Sequence, residues 1–224
     1  MSESNLPEWE QLLSAAAHLQ EILPGATLVG GTAVAIFAQH RLSRDADHVL
    51  PDLRNRFDEV LGELEAVAGW RTARVKRPVL ILGSLDGIET GVRQMIREQP
   101  LDTQEISVSG VQLVVPTEEE LLRIKGVLIL KRNATRDYLD FAALSERLGP
   151  SRIQEALARM DQLYPQPNGE SALQQLQVQL ANPMPYDLEN TDLTEYRKLD
   201  PKWHDWNRVK EICGNIAVEL FKRL

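Results

Sequence analysis

Between Leu28 and Leu50 the chain reads LVGGTAVAIFAQHRLSRDADHVL, and this segment restricts the possible folds more than any other. A glycine pair stands before an apolar run of helical length, and two aspartates one residue apart head the next apolar alternation. Side chains at i and i+2 of a strand share a face, so Asp45 and Asp47 would present two carboxylates together. Gly30 and Gly31 fall at a helix start, where unpaired N–H groups and the positive dipole end attract phosphate. Either half alone has a plain reading, a tight turn or a solvated loop. Their order and spacing make the layout of a site for metal-bound nucleotide phosphates.

Asn5 followed by Pro7 marks a helix start, and Trp9, Leu12, Leu13, Ala16, Leu19, Ile22 and Leu23 recur at helical spacing until Pro24 and Gly25. Thr27 to Val29 reads as a strand, Gly31 to Gln39 as a helix, and Asp45 to Leu50 as a strand. A helix from Asp52 to Val67 should precede β-rich sequence in 70–82 and 88–95, joined across Gly83-Ser84-Leu85-Asp86-Gly87. A second hairpin flanks Ser109-Gly110. Thr117 with Glu120 forms a capping box, which opens a helix to about Lys131. Helical patterns then cover 134–148, 152–164, 170–180 and the stretch from Trp206 onward, with an irregular Pro-, Asp- and Asn-rich segment at 181–201. The expected division is 1–116 and 117–224.

Composition narrows the class. A formal net charge of −8 over 224 residues argues against generic charge-driven binding along nucleic acid, though not against a local basic patch. The single cysteine, Cys213, falls in an apolar helical stretch and should be a buried thiol. The start MSESNLPEWE has no signal-peptide character and no apolar run approaches a membrane span, so a soluble cytoplasmic protein with no membrane partner is expected.

Gly-Gly, thirteen intervening residues and Asp-x-Asp together resemble the signature of the polymerase-β-like nucleotidyltransferase superfamily. Within it, GGTAxA followed by R-x-S-x-D-x-D, here Arg41 to Asp47, looks most like the AbiEii-type nucleotidyltransferase toxins. A second block strengthens the resemblance: Lys125 on a helix, then R-x-x-x-R-D-x-x-D at Arg132, Arg136, Asp137 and Asp140. The resemblance implies an α+β fold with a small mixed β-sheet and a helical C-terminal half. It also implies one or two Mg2+ ions, an NTP substrate, a tRNA or protein acceptor, and an antitoxin partner.

Catalysis and metal binding are then expected at Asp45 and Asp47, with a third carboxylate from Asp86 or Glu89. Glu89 is preferred, because Asp86 precedes Gly87 as a turn residue would. Its sequence, IET, departs from the family's apolar-Asp-apolar pattern. Nucleotide contacts are expected from Gly30, Gly31, Thr32, Ser43, Lys125, Arg136 and Asp137. For Arg132 and Asp140 an ion network pinning two helices is the better reading. His48 stands where the superfamily has an apolar residue and reads as edge-exposed or locally satisfied. The basic stretch Arg71, Arg74, Lys76 and Arg77, with Trp70 at its edge, is either a solvated strand face or an RNA contact. Two further readings stay open: a degenerate relative that binds a nucleotide or partner without catalysis, and an antibiotic-modifying nucleotidyltransferase.

Overall fold

The computed structural model describes residues 8–222. Asn5 and Pro7, the expected helix start, lie outside the described residues. The chain divides into two compact units. One runs to residue 36 and resumes over 43–117; the other takes 37–42 and everything from 118 on. The short segment 37–42, which a cut near residue 116 would assign to the first unit, therefore packs within the second.

In the first unit, α1 (Trp9–Ile22) opens on a capping box between Glu8 and Gln11. Strand β1 (Thr27–Leu28) leads into α2 (Gly30–Ala38), and β2 (Ala46–Leu50) follows. Helix α3 (Phe57–Glu65) precedes β3 (Trp70–Lys76), β4 (Leu80–Leu85) and β5 (Ile88–Gln94). These five strands form one mixed sheet in the order β1-β2-β5-β4-β3, parallel between β2 and β5 and antiparallel elsewhere. A separate hairpin pairs β6 (Thr103–Val108) with β7 (Val111–Pro116).

One face of the sheet is the core. Leu50, Ile81, Leu85 and Val92 pack with Leu19 and Leu23 from α1 and Phe57, Val60 and Leu64 from α3. The other face is half open: β2 alternates between buried Ala46, His48 and Leu50 and partly exposed Asp47 and Val49. The alternation in the sequence thus translates directly into an inside and an outside.

Two expectations are corrected. The helix expected from Asp52 starts only at Phe57, because 51–56 form turns held from outside. The Gln94 side chain accepts from the Arg54 N–H at 2.7 Å and donates to the Pro51 carbonyl at 2.6 Å. The expected single hairpin over 70–95 is a three-stranded meander. It turns once at Arg77-Pro78, where proline has no N–H to continue the ladder, and again at Asp86-Gly87. Asp86 and Gly87 have φ of +52° and +83°, as a two-residue hairpin turn of primed type requires.

The second unit is helical: α4 (Glu118–Arg132), α5 (Thr135–Leu157), α6 (Met160–Leu163), α7 (Ala172–Ala181) and α8 (Trp206–Phe221). Helix α5 is broken at Gly149, whose φ of +75° and following proline end one helix and start another, as Gly149-Pro150 indicates in the sequence. Ser171 and Asp205 cap α7 and α8 through their side chains. Trp203 is buried and Trp206 meets the Tyr138 ring edge-on at 6.1 Å, so this aromatic pair packs against the helices. Cys213 is buried, which pushes its thiol up to about 12 and keeps it protonated. Among the described residues, no helix is long and apolar enough to cross a membrane.

Candidate functional site

The paired aspartates lie where β1, α2 and β2 meet. The Val29 N–H donates to the Asp47 carbonyl at 2.8 Å, which locks the approach to the glycine turn against the acidic strand. Gly30 then has φ of +76°, a left-handed conformation that only glycine adopts freely. A Cβ there would stand 3.6 Å from Asp47 Cβ and 3.9 Å from its Oδ2, so the bare glycine backbone forms one wall beside the carboxylate. Gly30→Ala should lower stability by about 1–2 kcal/mol from backbone strain alone. A urea midpoint unchanged from wild type would contradict that assignment of its backbone.

Asp45 and its neighbour Ala46 are held from three directions. Ser43 Oγ donates to Asp45 Oδ1 at 2.8 Å. The buried Thr32 hydroxyl donates to the Asp45 carbonyl at 2.5 Å, tying α2 to the head of β2. On the neighbouring strand, Thr90 donates to the Ala46 carbonyl at 2.5 Å. Thr32 and Ser43, both expected to contact nucleotide, thus use their hydroxyls to fix the acidic strand. The pair itself is partly exposed on one face.

Strand register brings further groups onto that face. Asp47 is beside Gly91 and Val49 beside Arg93, so continuing the ladder one pair places Glu89 next to Asp45. Arg93 Nη2 lies 3.6 Å from Asp47 Oδ1. The β2–β5 pairing sets its guanidinium against the aspartate. Asp86 is instead a turn residue, with its Oδ2 3.0 Å from His18 Nδ1. Among the described residues no group of three or more His, Cys, Asp or Glu side chains is gathered as a metal cage. The expected three-carboxylate cluster is therefore, here, a pair with Glu89 one strand away.

Of the two readings of His48, edge-exposed or locally satisfied, the second holds, in a buried position. The residue lies on the buried face of β2, fully enclosed, with Nδ1 3.1 Å from the Ala46 carbonyl oxygen. Burial pushes its pKa down to about 4, so it folds as neutral imidazole. A folded pKa below the unfolded value of 6.5 gives stability that is present above pH 6.5 and is lost as the pH falls toward 4. That loss amounts to about 3 kcal/mol at 1.36 kcal/mol per unit. Urea unfolding between pH 7 and 4 should show a shallower decline for His48→Leu than for the wild type; equal slopes would remove His48 from the acid response.

The second block belongs to the helical unit. Asp140 is completely buried and faces Lys125 Nζ at 2.6 Å, Arg41 Nε and Nη2 at 2.8 and 3.0 Å, and His40 Nε2 at 2.8 Å. Asp137, also completely buried, lies 3.6 Å from Lys125 and is gripped by both Nε and Nη2 of Arg132. Lys125 is 1% exposed, and its ammonium is engaged by these carboxylates. Lys125 and Asp137 were expected to contact nucleotide; the structure places both inside an ion network joining α4, α5 and segment 37–42. Arg136 is exposed. Arg41 and His40 join the network, a role that nothing in their local sequence indicates.

No protein-family model matches the chain. A stretch of 129 residues, 56% of the chain, is 34% identical to the heme uptake protein MmpL11 of Mycobacterium tuberculosis, and the chain spans only 13% of that protein's length. Two crystal structures from Helicobacter pylori match nearly end to end. One, a candidate nucleotidyltransferase, has a TM-score of 0.57 at 15% identity, covering 100% of this chain and 97% of the other. The second, JHP933, has a TM-score of 0.53 at 15% identity, covering 98% and 94%. At such identity the likeness is one of fold, and it is the α+β nucleotidyltransferase fold expected from the sequence.

Proposed function

We propose that this protein is a metal-dependent nucleotidyltransferase that moves a nucleoside monophosphate from an NTP to a hydroxyl of a macromolecule, tRNA or protein. One observation carries the reading: Asp45, immediately before β2, and Asp47, within it, are both partly exposed, and Asp47 adjoins the left-handed Gly30 turn that opens α2. Two carboxylates suit magnesium, which takes few protein ligands and fills its octahedron with water and phosphate oxygens. Asp45 and Asp47 would hold it, and the bound ion would neutralise charge on the transferred phosphoryl group.

The chain's own groups do the positioning. Ser43 and Thr32 hold the Asp45 side chain and backbone, so the carboxylate is set before substrate arrives. The first N–H groups of α2, at Gly30 and Gly31, receive phosphate oxygens. Arg93, 3.6 Å from Asp47, is the cation that would meet a phosphate held beside that carboxylate. Glu89 is the further acidic group on the face, and exposed Arg136 is the member of the second block left to contact phosphate. Lys125 and Asp137 serve as the scaffold of the helical unit. The toxin role and an antitoxin partner belong to this proposal and rest on the resemblance of the two sequence blocks.

A second reading, nucleotide binding without transfer, draws support from the absence of a gathered third carboxylate among the described residues. Each α-labelled NTP, supplied with magnesium to tRNA and to a cell-protein extract, separates the two. Label on RNA or protein supports transfer. Label found solely on an added aminoglycoside would overturn the macromolecular acceptor, and NTP binding with no labelled product would leave the binding module.

A further inference from the structure

The outer strand β3 carries a cation strip whose alignment the sequence spacing conceals. Arg71, Arg74 and Lys76 are spaced by three and then two residues, so in a regular strand Arg71 would face away from the other two. A bulge between Thr72 and Arg74 changes this. Arg71 pairs with Ser84, Arg74 with Leu82 and Lys76 with Leu80, three alternate positions on β4 and hence one face. Those rows continue across the sheet. Ser84 is beside Glu89, Leu82 beside Gly91, and Leu80 beside Arg93; Gly91 in turn is beside Asp47 and Arg93 beside Val49. All three cations therefore point to the side of the sheet that bears the aspartates.

The side chains of Arg71, Arg74 and Lys76 are exposed, and none makes an ion pair among the described residues. Their neighbour Arg77 differs, being paired with Asp58. Between strip and aspartates the face is floored by Leu82, whose side chain lies over buried Gly91: a Cβ at Gly91 would lie 2.5 Å from Leu82 Cδ2 and 2.8 Å from the Ile81 carbonyl. Three inter-strand steps separate β3 from β2, about 14 Å. Trp70, by contrast, is buried with its indole N–H donated to Thr72, so it offers no aromatic platform beside the strip. Unpaired cations without an aromatic surface suit a phosphodiester backbone rather than stacked bases.

We infer that Arg71, Arg74 and Lys76 form the docking strip for the sugar-phosphate backbone of an RNA acceptor, which crosses the sheet face over Leu82 to bring its reacting hydroxyl to Asp45 and Asp47. The inference rests on the transfer reading for its purpose but has its own readout. A fluorescein-labelled tRNA transcript is titrated by anisotropy at 50–200 mM salt against the wild type, Arg71→Gln/Arg74→Gln/Lys76→Gln, and Asp45→Asn/Asp47→Asn. Losing three phosphate contacts should weaken binding roughly tenfold or more at low salt and lower the log–log salt slope by about 2. The Asp45→Asn/Asp47→Asn protein should bind at least as tightly as the wild type. Unchanged affinity and salt slope in the triple glutamine variant would overturn the strip, as would label transfer to protein by a wild type that does not bind tRNA. Impaired tRNA binding in that variant, with no label transferred by any form, would uphold the strip and sink the transfer reading instead.

Discussion

Asp45→Asn and Asp47→Asn should each reduce nucleotidyl transfer by about 10²–10³-fold or more while leaving the fold intact. Asparagine keeps the shape of aspartate, and the Ser43 hydroxyl can still donate to the side-chain oxygen at residue 45. The Thr32 and Thr90 bonds are made to backbone carbonyls and survive both changes. What disappears is the negative charge that would hold a cation against the transferred phosphate. Label transfer, measured beside circular dichroism and a urea midpoint, checks the result; full activity in either variant would sink the assignment. Glu89→Gln should have a smaller effect, since Glu89 is exposed and no three-carboxylate group is gathered among the described residues. A loss equal to that of Asp45→Asn would instead make Glu89 a ligand.

Asp140→Asn should destabilise the protein by about 3–5 kcal/mol, because it leaves Lys125 and Arg41 buried without their counter-charge. For a chain of this size, that is a fall in Tm of roughly 10 °C. Burial alone would raise the Asp140 pKa, but Arg41, Lys125 and the His40 hydrogen bond outweigh it and hold the carboxyl well below the usual range. A folded pKa below the unfolded one gives stability that is present above the ordinary carboxylate pKa and is lost as the pH falls toward the folded value. The wild type should therefore lose the margin contributed by Asp140 in acid, while Asp140→Asn shows no such decline from this position. Replacing the set together, as Asp140→Leu/Lys125→Met/Arg41→Met, should recover part of the loss, since apolar packing often matches a buried ion pair. A thermal melt of Asp140→Asn within a degree of wild type would show that the network does not hold the helical unit.

The helices and strands around the glycine turn were legible because each follows from local spacing: the GGTA turn, the alternation after Asp45, the capping pattern at Thr117 and the Gly149-Pro150 break. Where the reading missed, a distant residue had decided. The turns at 51–56 are held by Gln94 from a strand forty residues on, which no local propensity reveals. His48 lies on the core side because its neighbours Asp45 and Asp47 take the open one, and the parity of β2 then leaves imidazole no other place. Lys125 looked like a phosphate contact because its charge is visible in sequence and its partners are not. Asp137 and Asp140 stand against it, and Arg41 joins through Asp140, only once segment 37–42 and the two helices are packed.

By itself, the sequence determined that the chain has a glycine turn into a helix, two carboxylates on one strand face, a mixed β portion and a helical remainder. Those features depend on periods of two and 3.6 residues and on the conformational freedom of glycine, all of which are local. Tertiary structure alone decided which charges are spent on one another and which remain available for a ligand. It turned Lys125 and Asp137 inward, set Arg93 against Asp47, and through one bulge aligned Arg71 with Arg74 and Lys76. The physical reason is that strand pairing and burial are set by residues far apart in the chain, and a charge acquires its role only from what stands beside it.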